Sequence, residues 1–275
     1  MAEGAPGRVG VAGRVSATIR AANAEGRAAL AVYLPAGYPD LGASYACLEA
    51  AAEAGADLLE VGFPYSDPLM DGPTIQAASQ AALDAGYTPA DDLVLCAALT
   101  GRVGVPAVVM TYYNLVWHYR GIGQLAAFAA AVADAGLAGA ILPDLPAEEG
   151  GPWLAVAAEA GLDTAFLAAP TSTDARLKAV AEASTGFVYA TSVLGVTGER
   201  QSLSAAASPL VRRLRAVTGK PICVGIGVTT PEHAAEVASF ADGVIVGSAA
   251  VRAAGDGGPH AVRDLVRDLA AACRR

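Results

Sequence analysis

From residue 29 onward, short apolar runs alternate with alanine-rich stretches of helical period. The runs cover residues 29–34, 57–61, 106–110, 139–143, 163–167, 187–191, 221–224 and 242–246. None alternates strictly between apolar and polar, so each reads as a strand buried on both faces, as in a parallel sheet. Between them, residues 44–54, 124–135, 151–160, 174–183 and 231–238 read as helices. Thr173 before Asp174 and Thr230 before Pro231 are helix-start signals. Eight alternations within about 220 residues predict an α/β fold, a (β/α)8 TIM barrel. An open doubly wound sheet rarely needs eight parallel strands at this length. An extra N-terminal helix over residues 15–23 is placed to close the barrel bottom. No proline-rich or charged linker divides the chain, and no repeat exceeds the β/α period, so residues 1–275 are expected to form one barrel domain.

Composition narrows the class. Of 275 residues, 54% are hydrophobic and 16% charged, which supports one large core and excludes a disordered chain. No uncharged apolar stretch approaches the length of a membrane span. Glu3, Arg8 and Arg14 lie among glycines with no apolar signal region, so a cytoplasmic location is expected. Net charge is −9 and the basic residues are scattered, which argues against nucleic acid. Their densest group, Arg212, Arg213 and Arg215, reads as a solvated helix face. Cys47, Cys96, Cys223 and Cys273 lack metal-site spacing and read better as buried small hydrophobes than as ligands or a disulfide framework.

In a barrel, chemistry sits on the loops that leave the C-terminal strand ends. Glu60 lies within the second run, between Leu59 and Val61. It is either a core glutamate satisfied by a hydrogen bond or a general acid/base whose pKa an apolar wall raises toward neutrality. Asp67 and Asp71 follow in a loop stiffened by Pro64, Pro68, Gly72 and Pro73. Such aspartates are ordinarily turn residues; behind a strand bearing an acid, they become candidates. Val224-Gly225-Ile226-Gly227-Val228 and Val246-Gly247-Ser248-Ala249 follow the last two runs. Their small residues would let backbone N–H groups approach an anion, and a short helix after Gly247-Ser248 would aim its N-terminus there. Ordinary turns share this pattern. Residues 195–202 are long and polar enough for a lid or for a plain surface loop.

Absences narrow the reaction. Lys178 falls mid-helix and Lys220 precedes the seventh strand at the opposite face, so neither suits a Schiff base. His118 follows the third strand, His233 sits in a helix and His260 in a late loop, with no metal-ligand clustering. Carboxylate acid–base chemistry on a small phosphorylated substrate remains, with neither metal nor cofactor.

The run EVGFPYSDPLMDGPTIQ and the later GVTGER resemble the tryptophan synthase α subunit family. YLPAGYP, MTYYN, PDLPAEE and the two glycine turns extend the resemblance over roughly residues 28–250. It implies a lyase of L-tryptophan biosynthesis that cleaves indole-3-glycerol phosphate, by a retro-aldol step, to indole and glyceraldehyde 3-phosphate. Glu60 matches the family's acid/base and Asp71 the aspartate that bonds the indole N–H. Tyr189 matches a tyrosine near the glycerol hydroxyls, and Thr197 a lid threonine that closes on the Asp71 loop. Gly198, Gly227, Gly247 and Ser248 match the phosphate cradle. Met110, Ile141 and Leu167 fall where apolar residues pack on the indole ring, although barrel core explains them equally well. Pro35 and Ile226 depart from the threonine and phenylalanine of many relatives at that pocket.

The resemblance also implies a partner, a β subunit that carries pyridoxal phosphate (PLP) and receives indole through a tunnel in an α2β2 heterotetramer. Asp67, Pro68, Asn114 and the loop of Pro146 would face it, and this chain would carry no PLP itself. Residues 195–202 are expected to order when substrate or partner binds. A free-standing indole-releasing lyase and a catalytically silent barrel that only activates a β subunit are the alternatives. The two intact acids argue against the second, and the retained SDPLMDGP loop against the first.

Overall fold

The structure is a computed structural model and describes residues 13–191, 203–225 and 227–275. Helix α1 (Arg14–Ala24) precedes β1 (Ala29–Pro35), α2 (Leu41–Glu53), β2 (Leu58–Gly62), α3 (Pro73–Asp84), α4 (Pro89–Arg102) and β3 (Ala107–Met110). The chain continues through α5 (Tyr113–His118), α6 (Leu125–Asp134), β4 (Gly139–Ile141), α7 (Gly151–Glu159), β5 (Asp163–Ala168) and α8 (Asp174–Ala183). It finishes with β6 (Phe187–Thr191), α9 (Leu203–Arg215), β7 (Ile222–Gly225), α10 (Pro231–Ala238), β8 (Gly243–Val246) and α11 (Ser248–Ala272). The strands form a closed parallel barrel in chain order, with β1 paired to β8 through Ala29↔Gly243 and Ala31↔Ile245. This is the expected (β/α)8 TIM barrel.

All eight expected strands form, with their ends moved by a residue or two. β4 stops at Ile141, short of Pro143, which has no N–H to extend the ladder. α8 and α10 begin where expected, because the Thr173 and Thr230 hydroxyls accept from Arg176 N and His233 N at 3.3 Å. α2 starts at Leu41, ahead of the expected residue 44, because Asp40 caps it by accepting from Ala43 N at 2.8 Å.

Two expectations need correction. The helix expected after Gly247-Ser248 ends at a break at Gly258, and His260, which the sequence placed in a loop, lies in the helical stretch beyond it. Gly258 does break the helical geometry (φ 61, ψ −147), but Pro259 reopens a helix at once, its fixed φ suiting a first turn. Nor are Arg213 and Arg215 a freely solvated face. Arg213 donates to the Pro170 carbonyl at 3.0 Å and to Asp174 at 2.7 Å, while Arg215 pairs with Asp242 at 2.5 Å. They fasten α9 to neighbouring β/α units, a tertiary role that periodicity does not reveal.

Leu58, Val108, Ile141, Phe187 and Ile245 fill the barrel interior, and Val15, Ile19 and Ala22 of α1 join them from below. Asp163, at the start of β5, accepts from Gly13 N at 2.8 Å and Val15 N at 3.0 Å. A β-strand carboxylate therefore caps α1 and holds it as the bottom plug, which directs chemistry to the opposite mouth. Lys220 is also remote from that mouth, its ammonium bonding the carbonyls of Ala181, Glu182 and Ser184 near the α8 C-terminus. The four cysteines are buried and free. No described helix is long and apolar enough to cross a membrane.

Candidate active site

Inward positions alternate along β2 as Leu58, Glu60 and Gly62. Glu60 is in register with Tyr33 on β1 and Val108 on β3. Its side chain is fully buried, and neither carboxyl oxygen has a hydrogen-bond partner among the described residues. The satisfied core glutamate is therefore set aside. Burial pushes the carboxyl up to about 8, because desolvation disfavours the charged form. Asp92 on α4 shows the same signs, an unpartnered Oδ1 and a carboxyl raised by burial to about 8. It stands on an outer helix, whereas Glu60 faces into the barrel near a strand's C-terminal end. Position, added to desolvation, distinguishes the candidate catalyst.

Asp71 lies half-buried in the loop after β2. Burial raises its carboxyl to about 6, and a hydrogen bond with Tyr112 opposes that rise. The Tyr112 hydroxyl also accepts from Met70 N at 2.9 Å, and its ring stacks on Tyr65 with centroids 5.1 Å apart. From the α3 side, Gln76 Nε2 donates to the Asp71 carbonyl at 2.9 Å. The Asp71 limb is thus clamped from two elements. Sequence reasoning missed Tyr112 as this clamp, although it lies in MTYYN just past the end of β3. The available signal was a polar aromatic at a strand's C-terminal end.

Tyr189 faces the interior from β6, and its ring lies so close to Gly225 that a Cβ there would come within 2.6 Å of Cζ. Burial holds its phenol well above the usual range, with the Glu60 charge adding to the effect. Ile141 is fully buried in the inner cluster, while Met110 and Leu167 are half-buried against it. Pro35 ends β1 and is buried. Gly227 has φ 92, a left-handed conformation that favours glycine. Gly247 and Ser248 form the start of α11, whose first-turn N–H groups lack helical acceptors. The paired strands β7 and β8 bring these two turns together. Thr197, Gly198, the rest of 195–202 and Ile226 lie outside the described residues.

A cavity of about 1040 Å³ over the mouth is lined by Asp67, Met70, Tyr112, Pro146, Leu167 and Thr191, among others. The ring-side candidate Leu167 and the partner-side candidates Asp67 and Pro146 therefore share one cavity; Glu60 and Asp71 are not among its lining residues. Pro68 is half-buried, and Asn114 is exposed on α5. Among the described residues, no group of three or more His, Cys, Asp or Glu side chains could hold a metal ion.

The family model for the tryptophan synthase alpha chain matches residues 19–274. The chain belongs to the tryptophan synthase alpha chain family. The alpha chain of Acidothermus cellulolyticus is 50% identical over 264 residues, covering 95% of this chain and 97% of the relative. That of Mycobacterium avium is 49% identical over 264 residues, 96% of each. Among solved structures, Mycobacterium tuberculosis tryptophan synthase is similar with a TM-score of 0.88 and 48% identity, covering 96% of this chain and 99% of that one. Tryptophan synthase alpha chains catalyse the cleavage of indole-3-glycerol phosphate, a lyase reaction. The family resemblance read from SDPLMDGP and GVTGER is borne out.

Proposed function

We propose that this chain performs the family reaction with Glu60 as proton donor and acceptor and Asp71 as the indole anchor. The observation that carries the reading is Glu60: a fully buried, unpartnered carboxyl in the barrel interior, raised by desolvation to about 8. Such a group starts as the neutral acid at pH 7. It gives its proton to the indole carbon that bears the glycerol phosphate side chain, making a cationic indolenine. Asp71, raised only to about 6, is ionised at that pH and accepts a hydrogen bond from the ring N–H as positive charge develops. The Glu60 carboxylate then takes the proton of the adjacent side-chain hydroxyl. The carbon–carbon bond breaks, its electron pair returns to the ring, and the hydroxyl carbon becomes the aldehyde of glyceraldehyde 3-phosphate. Indole keeps the first proton and Glu60 regains one from the hydroxyl, so the cycle closes without a metal or cofactor. Two carboxyls with separated pKa values are the pattern expected of an acid and an ionised stabiliser.

Met110, Ile141 and Leu167 would flank the ring, Tyr189 the glycerol hydroxyls, and Thr197 would close on the Asp71 loop. Gly198, Gly227, Gly247 and Ser248 would cradle the phosphate; for the described residues among them, support comes from the adjacent turns and the α11 N-terminus. The partner is a tryptophan synthase β subunit in an α2β2 heterotetramer, with PLP confined to that subunit. Exposed apolar side chains support a docking face, because Leu69 and Met70 lie beside Asp67 and Pro68, and Trp117 lies on the same helix as Asn114. A cytoplasmic location and a single barrel domain belong to the same proposal. The test is indole release by the purified chain, with and without a β subunit, alongside co-purification of the two. Release that rises on binding supports the α-subunit reading. Unchanged release without binding favours a free-standing lyase, and binding without release a silent activator.

A further inference from the structure

The side chains inside a closed parallel barrel stack in layers, each supplied by alternate strands. Strand tilt advances a layer by one residue per strand relative to the paired register. Followed around the barrel in this way, Glu60 is level with Ile141 on β4, Tyr189 on β6 and Ile245 on β8, and the layer closes back on Glu60. Two residues further along the same strands, toward the mouth, stand Gly62, Pro143, Thr191 and Gly247. Two glycines and a proline bring no hydrogen-bonding side chain, so Thr191 is the polar side chain of that layer. Its direction follows from the alternation along β6. Phe187 and Tyr189 belong to the inner cluster, whereas Val188 and Ala190 belong to the outer core, so Thr191 turns inward. It is 7% exposed, and it lines the mouth cavity together with Leu167.

The Thr191 hydroxyl donates to the Ala168 carbonyl at the end of β5, at 3.1 Å. That bond uses its one donor and fixes its rotor, leaving acceptor lone pairs at the cavity wall. An uncharged acceptor above Tyr189 and beside Leu167 suits a ligand O–H. In the proton cycle the substrate hydroxyl next to the ring loses its proton to Glu60. The second side-chain hydroxyl takes no part in that cycle and survives in glyceraldehyde 3-phosphate. We propose that Thr191 is a substrate-binding residue whose oxygen accepts a hydrogen bond from this second hydroxyl. The inference rests on the reading that indole-3-glycerol phosphate occupies the mouth with Glu60 as its acid/base.

The test compares Thr191→Val, which keeps the shape without the hydroxyl, and Thr191→Ser, which keeps the hydroxyl, in the full chain. Two ligands are used: the substrate, read as KM and kcat for indole release, and the same molecule with both side-chain hydroxyls replaced by hydrogen, read as a competitive inhibitor. Thr191→Val should raise KM about 3- to 10-fold, the worth of one neutral hydrogen bond, with a smaller change in kcat. Its inhibition constant for the dideoxy compound should stay within about twofold, because that ligand has no hydroxyl to lose. Thr191→Ser should recover most of the lost KM. A general loosening of the β5–β6 end would weaken both ligands alike, so a parallel rise in KM and inhibition constant would overturn the proposal. An unchanged KM in Thr191→Val, or a serine variant as impaired as the valine one, would overturn it too. Glu60→Gln is measured in parallel. Its retention of activity would sink the underlying reading, whereas an inactive Glu60→Gln beside an unchanged KM in Thr191→Val sinks only the role of Thr191.

Discussion

Replacing Glu60 by glutamine keeps the shape of the side chain and removes its ability to give and take a proton. The structure sets the size of what is lost. With its carboxyl near 8, Glu60 is about 90% protonated at pH 7; at an ordinary 4.5 it would be about 0.3% protonated. Burial therefore supplies roughly 300-fold more of the acid form. Asp71, near 6, is about 90% ionised at the same pH, so about 80% of molecules hold both required forms. kcat/KM for indole formation should accordingly rise through about pH 6, fall through about pH 8, and drop about tenfold from its maximum by pH 5 and pH 9. Glu60→Gln should lose about 10²- to 10⁴-fold. Stability carries the same signature. The folded state holds the Glu60 proton between pH 4.5 and about 8 while the unfolded chain releases it, so stability falls as pH rises through that window, by about 5 kcal/mol in all. The glutamine variant lacks that penalty, and its denaturation midpoint should gain on the parent's from pH 5 to pH 8. Initial rates from pH 5 to 9 and urea melts at both ends test both halves. A folded Gln variant within tenfold of the parent, or a parent profile flat from pH 7 to 9, would refute the assignment.

Tyr112→Phe removes the bond that lowers the Asp71 carboxyl, so the acid limb should move to higher pH and the rate at pH 6 should fall about 3- to 10-fold; an unmoved limb counts against the clamp. Gly227→Val forces a branched residue into φ 92 at the proposed phosphate turn and should raise KM at least about tenfold with a smaller change in kcat. An unchanged KM would put the phosphate elsewhere. Asp163→Ala strips the buried acceptor from Gly13 N and Val15 N and should cost about 2–4 kcal/mol in urea unfolding. An unshifted midpoint would mean that α1 is held by its apolar face alone.

The sequence determined the barrel. Eight doubly apolar runs, separated by helix-period segments, leave few other ways to bury both faces of every strand, and the threonines before Asp174 and Pro231 marked helix starts that the structure reproduces. It also marked Glu60 and Asp71, because an acid inside an apolar strand and a proline-stiffened acidic loop are visible as local conflicts with the pattern. Tertiary structure decided what periodicity does not carry. Whether Glu60 is satisfied depends on the strands beside it, and the burial that raises its carboxyl arises only once the barrel closes. Tyr112 looks like an ordinary aromatic until folding sets its hydroxyl on Met70 N. The same holds for Arg213, whose face is polar by pattern but whose partners, the Pro170 carbonyl and Asp174, lie about 40 residues away in the chain. Local pattern records how a segment buries its surface. Which distant group meets a buried hydroxyl or carboxylate is a property of the closed barrel.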